Sequence, residues 1–149
     1  MKSVKIFKLR SVKTPQRGTP LSAGIDFFVP DYFERTEVLP HQSILIPSGI
    51  KVKLPEGYAL VANNKSGVAT KKQLIFGAAV VDEDYQGELH LHLINTGHVN
   101  AVIAPGDKII QFILEKQEYA SVIEVNSEDE LFGGAVTERG AGGFGSTGV

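Results

Sequence analysis

Short segments in which apolar and polar residues alternate run through most of this chain, and they limit the folds that it can adopt. Turn-forming residues separate them at 55–57, 96–98 and 105–107. Alternation with a period of two is typical of half-buried strands. Many short strands with turns between them predict an all-β sandwich, jelly roll or barrel. The alternating segments are residues 4–6, 43–47, 50–54, 58–62, 89–93, 99–102, 109–114 and 122–125.

One segment differs from this pattern. Residues 66–73 read Ser-Gly-Val-Ala-Thr-Lys-Lys-Gln and predict a helical turn or two, the only helix that the sequence indicates. The start of this helix, from Asn64 to Gly67, offers amides, a hydroxyl and an ammonium group. These groups suit phosphate oxygens. Taken alone, however, the segment favours a solvated, capped turn.

Composition excludes several functions. The chain has 149 residues, which suits one domain, and its 15 basic and 17 acidic residues leave a net charge of -2. Neither nucleic acid nor a membrane surface is therefore an expected partner. The absence of cysteine excludes disulfides and thiolate metal sites, and the histidines lack zinc-motif spacing. With no signal peptide and no membrane-spanning segment in the sequence, we expect a soluble, cytoplasmic protein.

Two carboxylates follow apolar segments. Asp82 begins the acidic cluster 82–84 directly after residues 78–81, and Asp26 follows residues 22–25. An acidic cluster of this kind usually marks a hairpin turn. A carboxylate that leaves an apolar strand can alternatively act as a general base, because partial burial holds it rigidly and raises its basicity.

The last segment, residues 132–149, is rich in glycine and cannot build a core. It is either a flexible tail or an arm whose backbone amides approach an anion closely. Arg139, Phe144, Ser146 and Thr147 lie among these glycines. A cation, an aromatic ring and hydroxyls together suit a phosphorylated heterocycle.

The order of these segments is more specific than any one of them. Residues 21–27, 64–69, 77–88, 105–112 and 139–148 resemble the conserved motifs of trimeric dUTPases, in sequence order and over essentially the whole chain. The resemblance implies a jelly-roll-like β domain with one short helix at residues 1–131. It also implies that residues 132–149 form a flexible arm closing over the active site, and that the chain is a homotrimer with shared active sites.

The resemblance also implies an activity, the hydrolysis of dUTP to dUMP and pyrophosphate with Mg²⁺. This reaction limits uracil in DNA and supplies dUMP for dTMP synthesis. Asp82 would activate water for in-line attack on the α-phosphorus. The ring of Tyr85 would pack under the deoxyribose and exclude UTP. The strand pair from Gly77 to Tyr85, which includes Val81, would recognise uracil through backbone groups.

The remaining roles concern the phosphates. Lys65, Ser66 and Gly67 would contact them, and Gln111 would orient a phosphate or a metal-bound water. Mg²⁺ would bind the triphosphate and water, with Asp26 reaching it only through water and no direct protein ligand. In the arm, Phe144 would stack on uracil, while the terminal phosphate would be held by Arg139, Gly145, Ser146 and Thr147.

The sequence departs from the family pattern at Lys65, where arginine is usual, and at Ala79, where glycine is frequent. Lysine keeps the charge but lacks the bidentate fork, so phosphate contacts are expected to be weaker unless Lys71 or Lys72 compensates. Two alternative functions remain open. A dCTP deaminase shares the fold but needs a glutamate where we align His92, and a dUTP-binding regulatory protein would use the same pocket.

Overall fold

The computed structural model describes residues 2–143, and antiparallel strands dominate it. The strands are β1 (Lys5–Lys8), β2 (Gly24–Phe28), β3 (Thr36–Val38), β4 (Ser43–Pro47), β5 (Ile50–Lys53), β6 (Tyr58–Asn64), β7 (Leu74–Phe76), β8 (Val80–Val81), β9 (His90–Asn95), β10 (Ala101–Ile103) and β11 (Lys108–Lys116). Two short helices are α1 (Ser66–Lys71) and α2 (Glu128–Phe132). Neither of them has the length or the apolar composition needed to cross a bilayer.

Every strand pair in this part of the chain is antiparallel. The largest sheet has the order β2-β11-β6-β8, and a second has the order β4-β9-β7. Two further pairs are β1-β5 and β10-β3. The long strand β11 lies between β2 and β6, so it places Asp26 of β2 and Gln111 of β11 beside the end of β6 that precedes Lys65.

Alternate residues of these strands build the core. In β9 the side chains of Leu91 and Leu93 are buried, while His90 between the turn and Leu91 is exposed. The rings of Phe27 and Phe112 meet edge to face with centroids 4.9 Å apart. The alternation seen in the sequence therefore reports which side of each strand faces the core.

Contacts divide the described chain at Glu118, into residues 2–118 and residues 119–143. The first unit contains every strand and α1, which agrees with the predicted β domain with one short helix. The division lies earlier than the predicted boundary at residue 131. That boundary was predicted because residues 132–149 were expected to form an arm that closes over the active site. This role of the arm stays a prediction.

The second unit contains α2, which the strand-dominated pattern did not indicate. The Ser127 hydroxyl accepts a hydrogen bond from the Glu130 amide (3.1 Å), and Gly133 ends the helix with a φ of 61°. The strand predicted at 122–125 is wrong, because no described strand pairs with it and the Val122 side chain is fully exposed.

The other differences have local causes. The predicted helix 66–73 ends at Lys71, since Gln73 adopts a left-handed φ of 53°. Alternation did not predict β2, β3, β7 or β8, although an apolar strand directly before Asp82 was one of the two interpretations of that segment. Strand β2 is buried along nearly its whole length, so it shows no alternation, and the other three are too short to show a period.

Candidate active site

A cavity of about 260 Å³ opens beside strand β8. Its lining includes residues 78–82, Tyr85, residues 88–90 and Phe112. Strand β8 pairs with β6 through Leu60 and Val81, and the Ala62 amide donates to the Ala79 carbonyl (2.7 Å). One wall of the cavity is therefore peptide backbone held in place by a buried strand.

The turn after β8 places the aromatic ring of Tyr85 in the lining of this cavity. The Tyr85 amide donates to the Asp82 carbonyl (3.2 Å), and the Tyr85 hydroxyl donates to the Glu88 carbonyl (3.0 Å). A Cβ atom at Gly87 would collide with the Tyr85 ring, so glycine is required for this close approach. The ring is 44% exposed and offers a flat apolar face.

The Asp82 side chain is exposed in the single chain, contrary to the expected partial burial. Asp82 lies one residue beyond the end of β8, where the chain enters a turn. Among residues 2–143, no hydrogen bond or ion pair involves its carboxylate. The neighbouring Glu83 carboxylate instead accepts the Gly57 amide (2.8 Å) and helps to hold the turn. Asp82 is thus free to accept a proton from a ligand or a water.

An ion pair that the sequence did not indicate supports the same wall. The Glu88 carboxylate binds the Arg10 guanidinium through both oxygens (2.5 and 3.2 Å) and accepts the Gly49 amide (2.7 Å). The hydrogen bond from Arg10 lowers the pKa of Glu88, and the amide of Gly49 acts in the same direction. Arg10 and Glu88 are too far apart in sequence to give a local signal.

A second cluster lies where β2, β6 and β11 meet. The Asp26 carboxylate, whose residue is 4% exposed, binds the Lys65 ammonium, and the Lys108 ammonium lies 3.7 Å from its other oxygen. Gln111 is opposite Asp26 in the sheet and donates through Nε2 to the Asn64 carbonyl (2.8 Å). This cluster brings together four polar side chains, of which the sequence predicted three.

Helix α1 begins directly after Lys65. The Lys65 side chain makes no capping hydrogen bond, while its carbonyl accepts the Val68 and Ala69 amides (3.0 and 2.9 Å). Ser66 and Gly67 are exposed at this end. Their hydroxyl and amides are accessible to a ligand that approaches the second cluster.

Within one chain, Asp82 and Lys65 lie apart along β6. Val81 pairs with Leu60, and Lys65 follows five residues later at the other end of β6. At about 3.3 Å per residue, this separation is about 17 Å along the strand. Asp82, at the far end of the cavity lining, is therefore well separated from Lys65 along β6, whereas the lining residues Ala79 and Phe112 lie nearer to Lys65, beside Ala62.

The predicted arm residues are described only in part. Arg139 is exposed and donates through Nε to the Gly142 carbonyl (2.9 Å) within its own unit. The predicted roles of Phe144, Gly145, Ser146 and Thr147 lie outside the described residues.

Comparison with protein families identifies the chain. The family model described as dUTPase matches residues 10–148. The chain belongs to the dUTPase family. A deoxyuridine 5'-triphosphate nucleotidohydrolase of Chlamydia trachomatis serovar L2 is 37% identical over 136 residues, covering 90% of each chain. One of Fowlpox virus is 36% identical over 151 residues, covering 100% of this chain and 99% of its own.

Solved dUTPases share the fold. A mutant of the Staphylococcus bacteriophage 80alpha dUTPase, solved with dUpNHpp, has a TM-score of 0.85 at 22% identity, covering 100% of both chains. A mutant of the dUTPase from phage phi11 of S. aureus, solved with a structural Mg(II) ion, has a TM-score of 0.75 at 20% identity over 84% of this chain and 97% of its own. The predicted all-β, jelly-roll-like dUTPase fold is confirmed.

Proposed function

We propose that this chain hydrolyses dUTP to dUMP and pyrophosphate. The observation that carries the proposal is the free carboxylate of Asp82 at a cavity with a backbone wall, in a chain of the dUTPase family. The cavity accepts a flat base, and the carboxylate accepts a proton. The relatives named as deoxyuridine 5'-triphosphate nucleotidohydrolases point to dUTP as the substrate.

In the proposed reaction, Asp82 is the general base. It takes a proton from water as the water oxygen forms a bond to the α-phosphorus, and the bond from phosphorus to the bridging oxygen breaks. Pyrophosphate leaves in line with the attacking oxygen. Water alone is a poor nucleophile at neutral pH, and a positioned carboxylate typically contributes about 10²–10⁴-fold.

Two features support selection of a deoxyuridine nucleotide. The face of Tyr85 would pack under the sugar, where a 2′-hydroxyl would clash. The backbone from Gly77 to Val81 would pair with the uracil edge and leave no space for a thymine methyl. Steric exclusion is the stronger device here, because failure to contact one methyl group discriminates by only about 1–3 kcal/mol.

The phosphates would bind the second cluster. Lys65, Ser66 and Gly67 offer an ammonium, a hydroxyl and amides, and Gln111 would orient a phosphate or a metal-bound water. Mg²⁺ would arrive on the triphosphate, where it neutralises charge on the oxygens. Both Asp26 oxygens already face lysine ammonium groups, which supports contact with the metal through water rather than direct ligation.

The distance between the clusters supports shared sites. Asp82 and Lys65 lie about 17 Å apart along β6, a separation that would suit a site to which more than one chain contributes. We propose a homotrimer in which the 132–149 arm closes over bound nucleotide. Arg139, Gly145, Ser146 and Thr147 would hold the terminal phosphate, and Phe144 would stack on uracil. In the cell, this reaction would limit uracil in DNA and supply dUMP for dTMP synthesis.

The test is pyrophosphate release from dUTP, dCTP, dTTP and UTP, with and without Mg²⁺. We expect release from dUTP alone, dependent on Mg²⁺ and reduced about 10²–10⁴-fold in Asp82→Asn. Asp84→Asn, in the same exposed turn, is the matched control and should retain activity. Ammonium release from dCTP would instead establish a deaminase. Tight dUTP binding without hydrolysis would establish the regulatory alternative.

A further inference from the structure

His92 lies on β9 against the segment that forms the backbone wall of the cavity. Its carbonyl accepts the Gly77 amide (3.0 Å), and its Nδ1 atom accepts the Ala78 amide (2.8 Å). A Cβ atom at Gly77 would collide with the His92 ring. One residue of β9 therefore holds two consecutive amides at the point where the chain leaves β7 and enters the cavity wall.

The His92 side chain accepts the Ala78 amide from the face of its sheet that points away from the core. Leu91 and Leu93 on either side face the core, whereas His92 is half-buried and pairs with the exposed Leu45 of β4. The ring thus adds little to the core. Its specific contribution is the acceptor at Nδ1, which requires a neutral imidazole that carries its proton on Nε2.

Without that acceptor, the Ala78 amide would lose its partner. Strand β7 ends at Phe76 and the β8 ladder begins only at Val80, so Ala78 lies between two ladders. The carbonyl of Ala79 is held by the Ala62 amide, which fixes the other end of this short connection. His92 is the side chain that fixes its first end.

We propose that His92 is a positioning residue for the base pocket, holding the backbone at Ala78 in the geometry that receives the base. The proposal rests on the proposed function, since it takes the cavity to be the base pocket. His92 touches the wall and not the reacting atoms, so it governs nucleotide affinity rather than the chemical step.

Three variants test this role. His92→Leu removes the acceptor and keeps an apolar side chain of suitable size on an outer face. His92→Asn keeps an oxygen acceptor on Cγ, close to the position of Nδ1. His98→Leu makes the same chemical change at an exposed turn beyond the end of β9 and is the matched control.

Two measurements are needed. In amide hydrogen exchange, Ala78 should exchange about tenfold faster in His92→Leu than in the wild type, and His92→Asn should restore its protection. In steady-state kinetics with dUTP, KM should rise about tenfold in His92→Leu with kcat within about twofold of wild type. The asparagine variant should recover most of the affinity, and the control should match wild type.

A second pair of variants covers the case in which His92→Leu does not fold. Gly77→Ala should raise KM in the wild-type background, because the added methyl meets the imidazole, and should do so much less in His92→Ala. Equal effects in the two backgrounds would overturn the contact between Gly77 and the ring.

Different experimental results would overturn the role of His92 and the proposed function. A wild-type chain that neither hydrolyses nor binds dUTP overturns both. An active wild type whose KM is unchanged in His92→Leu, or equally raised in the leucine and asparagine variants, overturns the role of His92 alone. Faster exchange at Ala78 without a change in KM would also overturn it, since the hydrogen bond would then have no effect on the pocket.

Discussion

Lys65 has a partner inside its own chain. Its ammonium group binds the buried Asp26 carboxylate, and the Lys108 ammonium lies 3.7 Å from the other oxygen of that carboxylate. The family normally has arginine at this position, and the resemblance led us to expect weaker phosphate contacts. In the free chain, however, the Lys65 ammonium is already paired with the buried Asp26 carboxylate. Its contribution to folding can be measured separately from its contribution to phosphate binding.

We predict that Lys65→Met lowers the free energy of unfolding by about 1–3 kcal/mol, because it leaves the Asp26 carboxylate with only the more distant Lys108. Lys65→Arg should recover most of this stability. The measurement is urea denaturation at neutral pH, with the exposed Lys71→Met as control. A stability loss of the same size in Lys71→Met would contradict the prediction.

The ion pair between Arg10 and Glu88 predicts a pH dependence. Arg10 lowers the pKa of Glu88 below its ordinary value of 4.5. A lowered folded-state pKa contributes stability that is fully present above pH 4.5 and is lost as the pH falls through the folded-state pKa. In Arg10→Gln most of this contribution should be absent at every pH.

Thermal unfolding between about pH 6 and about pH 3 checks this expectation. The drop in Tm on acidification should be larger for the wild type than for Arg10→Gln. Arg35→Gln removes an exposed arginine elsewhere and should behave like the wild type. Identical pH dependence in Arg10→Gln and the wild type would show that the pair is not maintained in solution.

At the level of elements, α1 is tied to the turn before β11. The Lys72 ammonium, one residue beyond the helix, donates to the Val102 carbonyl (2.9 Å) and to the Asp107 carboxylate (3.0 Å). The Lys72 ammonium is therefore already hydrogen-bonded within the chain, whereas Lys71 is exposed on the last turn of the helix. Of the two lysines proposed to compensate for Lys65, only Lys71 is free to approach a ligand.

We predict that Lys72→Met raises the KM for dUTP about three- to tenfold, because α1 and the exposed Ser66 lose a fixed orientation. Lys71→Met shows whether that lysine contacts phosphate directly. If Lys71→Met raises KM and Lys72→Met does not, charge compensation rather than orientation explains the role of α1. Both variants remove one positive charge, so each is the control for the other.

At the level of the whole molecule, the question is how Asp82 and Lys65 could contribute to one active site. Within one chain, Asp82 and Lys65 are separated by about 17 Å along strand β6. The proposed homotrimer would bring them into one site by placing the Asp82 region of one chain against the Lys65 region of the next.

Mixing two inactive chains tests this arrangement. One chain carries Asp82→Asn, and the other is truncated before Arg139. After the subunits are exchanged, a random 1:1 mixture should recover up to about a quarter of wild-type activity, because each intact element occupies half of its positions. A chain with both defects, mixed with either parent, is the control and should remain inactive. A mixture that remains inactive would count against shared sites.

The sequence was sufficient for features that depend on neighbouring residues. Alternation predicted most of the long strands, and turn residues such as Pro105 and Gly106 predicted the connections. The ordered motifs predicted the dUTPase family, and the positions of Asp82 and Ser66 on a turn and a helix start followed from local chemistry. These properties are readable because periodicity, turn preference and motif spacing extend over only a few residues.

The tertiary structure decided which distant residues meet. The pairs of Arg10 with Glu88 and of Lys65 with Asp26, and the hydrogen bond from Ala78 to His92, join residues that no local pattern relates. Even the isolated alternation at 122–125 failed as a strand, because a strand exists only where another chain segment pairs with it. Partnership between distant segments is set by the packing of the whole fold, and so it becomes visible only in three dimensions.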